Sequence, residues 1–356
     1  MLGACRIVDA TGRLGWLAGR LLADLGARVV KIEPPGADVS SPQWRALNVN
    51  KRLVRLPLDA QSVDQLASDC DILIATPEPG TGETALFDYP RLASKNPALV
   101  LVVLTPFGLT GPKAGWRATD LEIMAAAGAM SLAGEPDGMP VRVSAPQAYA
   151  WTGAQAAVGA LVALAHCRAT GRGQLVDVSA QAAVIISLGH APPFVDIAGV
   201  SPTRAGAFMT GRSVAGARFR VFWPCRDGYV NFILYGGAAG RRTNEQLVAW
   251  MRERAVDLGP LAGQDWAQWD PTIATQEKVD ALEASIMRFF SALTKREFLE
   301  GAHQREMLGY PVSTVADIAA DPQLAVRGFW QDLGRERHCG VFAVIDGKRP
   351  ALLEPR

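Results

Sequence analysis

The sequence lacks both paired cysteines and an excess of charge of one sign. Its five cysteines stand singly, in odd number and without a CxxC pair, which favours a reducing compartment over a disulfide-stapled fold. It also lacks an excess of charge, because 36 Lys and Arg are balanced by 35 Asp and Glu. No overall field would therefore draw the chain to nucleic acid or to a membrane, and we expect neither as a partner.

Long apolar runs and metal motifs are also missing. The start, MLGACRIVDATG, has no signal-peptide core, and the longest apolar stretch, Ala154–Ala165, is too short to span a bilayer. We therefore expect a cytoplasmic protein. The four histidines form no ligand-spaced pair, so we predict no metal site and no Ser-His-Asp arrangement; they are His166, His190, His303 and His338.

The first hundred residues alternate between strand-like and helical patterns. Residues 4–33 read as a strand, a glycine turn, a helix ending near Gly26 and a second strand. Three further strands follow, in KRLVRLPL, CDILIAT and ALVLVVLTPFG. Strands that alternate with helices predict an α/β fold with a doubly wound parallel sheet.

The pattern changes further along the chain. Two Ala-rich helices are predicted over 119–133 and 147–167, and after about residue 200 the sequence becomes loop-like. A β-hairpin turning at Arg226-Asp227-Gly228 and a helical region over 244–299 then indicate a smaller α+β domain.

The glycines of the first turn raise the question of a dinucleotide site. Gly12, Gly15 and Gly19 open a helix after a strand, and Glu33 ends the next strand where a ribose-binding acid would stand. The spacing is GxxGxxxG rather than GxGxxG. We interpret the segment as a tight strand–helix turn with Glu33 at a solvated strand end, and predict no NAD.

Several segments resemble, in order, the class III CoA-transferase (CaiB/BaiF) family. They include LLADLGARVVKIEPPGAD, ALNVNKRLVRLPLD, LTPFGLTGP, TGRGQLVDVS and YPVSTVADIAADPQLAVRGFW, and they cover most of residues 1–330. The hairpin and the following GGAAGRRTNEQLVAWM are most similar to the heteromeric branch, which includes a subunit of benzylsuccinate CoA-transferase.

The resemblance implies a fold, a partner and a chemistry. It implies a large Rossmann-like domain made of residues 1–200 and 310–356, with a small domain, 201–309, inserted between them. It further implies an interlocked dimer, with a second copy or a paralogous subunit. Its substrate would be acyl-CoA, bound at the carboxyl edge of the sheet and passed through an aspartyl thioester, without a metal.

The chain departs from the family pattern at the catalytic aspartate. The family's stretch resembles PVRV-x-x-P-x-A-D, whereas this sequence has PVRVSAPQAYAW, with Tyr149 in the aspartate's place. A phenol with a pKa near 10 is a poor substitute nucleophile at neutral pH. We expect its hydroxyl to form hydrogen bonds near a cleft or an interface. Racemases of the same superfamily use a histidine, whose counterpart is Thr119, and the same aspartate, so racemase chemistry is not favoured either.

The segments that would contact CoA have changed in part. Lys51 and Arg52 could pair with its phosphates or be solvated charges on a strand edge. Arg117 aligns near a basic residue that relatives use for CoA, or is a surface residue. Thr76 lies in the loop that replaces the family's E-N-F-(R/K)-P-G, where Glu78 stands for a cation and would repel phosphate.

Four hypotheses follow. In the first, the chain is one subunit of a heteromeric CoA-transferase whose paralogous partner supplies the aspartate; its branch and its nine tryptophans suggest aromatic or bulky acids. In the second it is a self-sufficient homodimer that uses Asp120, Asp196 or Asp227, although Asp120 is rather expected to cap a helix. The third is a non-catalytic acyl-CoA binder or scaffold, and the last a dinucleotide-dependent oxidoreductase.

Overall fold

The computed structural model describes residues 1–189 and 191–353. His190 and the last three residues of the expected segment 310–356 lie outside them. The chain divides into two compact units. Unit 1 comprises Met1–Ser131, Val141–Pro202 and Asp321–Arg356, and unit 2 comprises Leu132–Pro140 and Thr203–Ala320. The domain boundaries drawn from the sequence, at about residues 200 and 310, stay a prediction.

Unit 1 is built on a six-stranded parallel sheet, as the alternating pattern predicts. Its strands are β1 (Arg6–Ala10), β2 (Arg28–Glu33), β3 (Lys51–Arg55), β4 (Ile72–Ala75), β5 (Val100–Thr105) and β6 (Leu175–Ser179). They lie in the order β3-β2-β1-β4-β5-β6. Every residue of β5 is buried, as expected of a central parallel strand. Five of the six strands were predicted from the sequence, and β6 was not.

Helices cover both faces of this sheet, which confirms the doubly wound class. They are α1 (Trp16–Asp24), α2 (Pro42–Asn48), α3 (Ala60–Ser68), α4 (Tyr89–Lys95), α5 (Asp120–Ala126), α6 (Ala148–Thr170), α7 (Ala180–Ser187) and α8 (Pro192–Ala198). Helices α1 and α6 pack on one face, and α3 and α4 on the other. The two faces alternate residue by residue along each strand, so that Ile7 meets α1 and Val8 meets α3.

Of the two helices predicted in the Ala-rich segment, the first is drawn too long, and the second, predicted over 147–167, is confirmed as α6. The helix predicted over 119–133 ends at Ala126, because Gly128 has a φ of 84° and a short 3₁₀ turn, Ala129–Leu132, follows. The other helix, α6, extends well beyond Ala154–Ala165 and is long and apolar enough to cross a membrane by length and composition. Its Ala156 and Ala160 are buried against the sheet, and a core helix meets the same criterion.

Unit 2 combines short antiparallel strands with helices. Its elements are β7 (Phe208–Met209), β8 (Phe219–Arg220), β9 (Phe222–Cys225), β10 (Gly228–Asn231), α9 (Gly237–Glu253), α10 (Gln276–Ser291), α11 (Lys295–Gln304), β11 (Tyr310–Pro311) and α12 (Val315–Ala319). The predicted hairpin is confirmed, with Cys225 opposite Gly228. Trp223, Phe232 and Phe290 form the centre of an aromatic core.

The chain then returns to unit 1 and adds a short helix and a hairpin. These are α13 (Pro322–Val326), β12 (Trp330–Leu333) and β13 (Glu336–Cys339). The carbonyl oxygen of Cys339 accepts a hydrogen bond from Arg20 of α1 at 2.9 Å. This contact ties the C-terminal segment to the first helix of the sheet.

Candidate functional site

The strand order places a crevice at the carboxyl ends of β1 and β4. The sheet's connections run outward in opposite directions from these two neighbouring strands, which is where open α/β sheets bind ligands. The loops that follow the two strands touch each other, since the N–H of Gly12 donates to Oγ1 of Thr76 at 2.6 Å. Thr76 therefore lies at the crevice and fixes one wall to the other.

A fully buried ion pair lies beneath this crevice. Asp9, near the end of β1, accepts a hydrogen bond from Lys51 at 2.8 Å between Oδ2 and Nζ, and both side chains are wholly buried. The two other protons of Nζ go to Trp16 O and Asn48 Oδ1, each at 2.8 Å. Lys51 thus has no donor left for a phosphate, and its predicted contact with CoA stays a prediction that requires these bonds to break.

A second buried lysine extends the network. Lys31 donates to the carbonyl oxygens of Thr11 at 2.6 Å and Ile32 at 2.8 Å, and its Nζ lies 3.2 Å from Glu33 Oε1. The same Oε1 accepts a hydrogen bond from the indole of Trp44 at 2.7 Å. Glu33 was expected at a solvated strand end. It is instead largely buried, because Lys31 and Trp44 provide partners for its carboxylate.

Burial and charge act in opposite directions on this pair. Burial alone would raise the pKa of Asp9, but the charges of Lys51 and Lys31 outweigh it and hold that pKa below its usual range. Burial lowers the pKa of Lys51 to about 8, with Asp9 acting against it. Both groups are therefore charged at neutral pH, and the network is internally neutral.

The network explains why Gly19 is a glycine. A Cβ at this position would lie 2.0 Å from Asp9 Oδ2 and 3.1 Å from Lys51 Nζ. At Gly15 a Cβ would lie 2.6 Å from the Thr11 side chain. Both glycines are thus required by packing within the protein, and neither calls for a bound pyrophosphate.

Tyr149 lies in the first turn of α6, at the same edge of the sheet as Thr76. Its N–H donates to Asp120 Oδ1 at 3.1 Å, which joins the starts of α5 and α6. Burial raises the pKa of this phenol, while a hydrogen bond with the backbone of Asp120 and, more weakly, the charge of Arg13 act to lower it. The sequence reasoning missed Arg13, which lies in the loop after β1.

Asp120 does not cap α5, contrary to expectation. The N-cap residue is Thr119, and the Glu122 carboxylate accepts hydrogen bonds from its hydroxyl and, at 2.7 Å, from its N–H, which lower the pKa of Glu122. Asp120 occupies the first helical position, from which its carboxylate reaches the backbone of α6. The carboxylate is thereby engaged in positioning Tyr149.

Arg117 lies across the loop that follows β4. Its Nε is 3.0 Å from Glu78 Oε1 and 3.4 Å from the carbonyl oxygen of Pro79. Both side chains of the ion pair are at least half exposed. The negative charge of Glu78 is thus matched by a neighbouring cation rather than left facing the crevice alone.

The other predicted residues lie elsewhere. Arg52 is exposed near the start of the edge strand β3, at the amino edge of the sheet. Asp196 is exposed on α8. In unit 2, Asp227 accepts the N–H of Lys295 at 2.7 Å, which lowers the pKa of Asp227. The structure thus brings Thr76 and Tyr149 to one edge and places Arg52 at the other.

Comparison with known proteins gives a consistent result. CoA-transferase family III matches residues 2–347. Subunit BbsE of the succinyl-CoA:(R)-benzylsuccinate CoA-transferase of Thauera aromatica is 32% identical over 92% of this chain and 82% of its own. The probable CoA-transferase Rv1866 of Mycobacterium tuberculosis is 36% identical over 94% of this chain, which spans only 43% of that protein. A CAIB/BAIF family protein from Brucella suis has a similar structure, with a TM-score of 0.81, 24% identity and coverage of 99% and 94%.

Proposed function

The chain belongs to CoA-transferase family III, and from this premise we propose that it is one subunit of a heteromeric enzyme that moves CoA between carboxylic acids. A paralogous partner supplies the catalytic aspartate. This chain completes the assembly and contributes a CoA-binding edge. A cytoplasmic location and an interlocked arrangement of the two chains are part of the same proposal.

The reaction divides one difficult transfer into exchanges at a carboxylate. The aspartate attacks the acyl-CoA carbonyl, forms a mixed anhydride and releases CoA thiolate. The thiolate attacks the aspartyl carbonyl of the anhydride, which leaves an aspartyl-CoA thioester and frees the first acid. The second acid then repeats both steps in reverse. Atoms and electrons balance, and no metal or redox partner is needed.

Tyr149 is the observation that carries this proposal. Its motif predicts that it stands in place of the family's aspartate, and it lies in the first turn of α6. Burial raises its pKa above an already high value, so the phenol is neutral at pH 7. A neutral phenol cannot replace a carboxylate in an anhydride exchange. The nearest acid, Asp120, is engaged with the backbone of α6, so the nucleophile is better sought on another chain.

The residues of this edge suit the binding of CoA rather than its chemistry. The Arg117–Glu78 pair is exposed and therefore contributes little stability. A phosphate can replace Glu78, since it accepts two parallel hydrogen bonds from a guanidinium. Thr76 joins the loops that follow β1 and β4 by a hydrogen bond. The loops therefore lose less conformational freedom when CoA binds.

The substrates proposed follow the relative from Thauera aromatica. Succinyl-CoA is the donor, and a dicarboxylic acid with an aromatic or bulky apolar substituent is the acceptor. The experiment compares the chain alone with the chain co-purified with its paralogue, using succinyl-CoA and benzylsuccinate and separating the CoA esters by chromatography. We expect transfer only from the pair, and a CoA thioester on the partner's aspartate by mass spectrometry.

Two variants separate the roles of the subunits. Tyr149→Phe in this chain should leave the activity of the pair within about twofold, because the phenol takes no part in the exchange. Replacing the partner's aspartate with alanine should abolish transfer. Robust transfer by the lone chain, or a thioester on its own Asp120, Asp196 or Asp227, would contradict the proposal. Tight CoA binding without transfer under any pairing would favour a non-catalytic binder.

A further inference from the structure

A groove of about 950 Å³ lies at the amino edge of the large sheet, opposite the crevice described above. Its apolar floor includes Val8, Val30, Leu56 and Leu66. These side chains belong to the face on which α3 packs. All residues that line the groove belong to unit 1.

Three arginines line this groove from the same face of the sheet. Arg6, Arg28 and Arg52 each stand two residues before a residue of that face, namely Val8, Val30 and Val54. Because side chains two residues apart on a strand share a face, the three guanidinium groups project on the side of the apolar floor. All three residues are exposed, and all three line the groove.

The charges of these arginines are left uncompensated. Arg6 and Arg28 are direct partners in the register of β1 and β2, an arrangement that is unfavourable for like charges. Within residues 1–189 and 191–353 none of the three guanidinium groups forms an ion pair with a carboxylate. Their one hydrogen bond is a long contact, 3.4 Å, from Arg28 to the carbonyl oxygen of Ala4.

The acids beside the groove do not alter this balance. Asp24 lines it, but its carboxylate accepts hydrogen bonds from Arg20 and Asn50, each at 2.7 Å. The other acid of the lining, Asp69, ends α3 and forms no ion pair with the three arginines. Besides Lys51, which is paired with Asp9, three positive charges therefore line the groove, and among the described lining residues Asp69 is the one carboxylate without such partners. Asp71, next to the groove, accepts the N–H of Arg6 at 2.7 Å.

We propose that this groove is a second ligand site, separate from the CoA-binding edge, that takes a nucleotide-sized polyanion. Arginine is suited to phosphate because its planar fork donates two parallel hydrogen bonds. The apolar floor offers a surface against which a base can pack. The volume is that of a site for a small organic ligand. The balanced net charge of the chain argues against a long nucleic acid as the occupant.

Titration calorimetry tests the site on the full chain with ADP, inorganic pyrophosphate and adenosine as probes. ADP and pyrophosphate should bind saturably, more weakly as salt increases, and adenosine should bind much more weakly than ADP. A higher affinity for ADP than for pyrophosphate would show that the apolar floor contributes. The variant Arg28→Gln/Arg52→Gln should lose about tenfold or more in affinity for both anions, while Arg117→Gln at the other edge should keep it.

Two controls make the result specific. Arg172→Gln/Arg335→Gln removes the same charge from exposed positions outside the groove and should change affinity by less than about twofold. Without ligand, Arg28→Gln should leave the melting temperature unchanged or raise it, because one of two opposed like charges is removed.

Three outcomes would overturn the site. The first is that neither anion binds saturably. The second is that anion binding is lost in Arg117→Gln but kept in the groove variant. The third is that the groove variant loses dimer formation but keeps anion binding.

Discussion

The charged side chains at the two edges of the large sheet differ in whether they have ion-pair partners. At the carboxyl edge each buried charge has a partner, and the Asp9–Lys51 pair is fully enclosed. At the amino edge Arg6 and Arg28 are neighbours in register, and in the part of the chain that the structure describes neither guanidinium group forms an ion pair. The polar residues of the carboxyl edge thus build the crevice, whereas those of the amino edge have donors left for a ligand.

This contrast shows that a basic residue predicted to bind a ligand can already be bound within the protein, so its position near the site is not evidence of a contact. Lys51 and Arg52 are neighbours in one sequence motif, yet one is buried in an ion pair and the other is exposed on the opposite face. The alternation of the strand decides which is which. The following predictions test the contrast.

The largest effect is expected from Lys51→Met. It removes the hydrogen-bonded charged partner of the buried Asp9 carboxylate and leaves only the more distant Lys31, at 3.9 Å, which costs about 3–5 kcal/mol of the free energy of unfolding. Urea unfolding at pH 7 measures it. The matched control is Arg52→Met on the next residue of the strand, expected within about 0.5 kcal/mol of the wild type. Equal stabilities of the two variants would contradict the contrast.

Gly19→Ala should destabilise the protein by about 1–3 kcal/mol, since the new methyl group overlaps the Asp9 carboxylate. Thermal unfolding followed by circular dichroism provides the measurement. Gly3→Ala is the control, because a Cβ at Gly3 meets no atom within 4 Å. If both substitutions were neutral, the close approach of α1 to the ion pair would not hold in solution.

A smaller effect should depend on pH. The pKa of Lys51 falls from 10.5 to about 8 in the folded protein, so between pH 8 and 10.5 the unfolded chain binds more protons. The contribution of Lys51 to the free energy of unfolding therefore rises with pH in this window. The stability difference between wild type and Lys51→Met, measured at pH 7.5 and 9.5, should grow. Arg52→Met should show no such change, because arginine stays charged.

The smallest effect on stability is expected at the exposed Arg117–Glu78 pair. Glu78→Gln and Arg117→Gln should leave the unfolding midpoint unchanged. Their effects on CoA affinity should differ in sign: Arg117→Gln weakens binding by about tenfold, and Glu78→Gln tightens it by removing a competing carboxylate. Equilibrium titration with CoA distinguishes them. Weaker binding by Glu78→Gln would contradict the exchange of Glu78 for phosphate.

Much of the fold could be predicted from local pattern, and the exceptions have physical causes. Strand β5 was evident because all its residues are apolar, whereas β6 carries Asp177 at its centre and has no buried residue. The helix at 119–133 was drawn too long because composition does not reveal the left-handed backbone at Gly128. For the candidate site, Tyr149 could be singled out from its motif. Arg13 could not, because it lies in a loop with no motif that connects it to Tyr149.

The sequence by itself determined the family and the α/β class, because these depend on residue types and their order along the chain, and it singled out Tyr149 as the residue predicted to stand in place of an aspartate. Only the tertiary structure decided that Lys51 is enclosed and Arg52 exposed, and that three arginines from separate strands share a groove. Asp9 and Lys51 are 42 positions apart, and their meeting depends on strand register, which brings distant residues together and which local pattern does not encode.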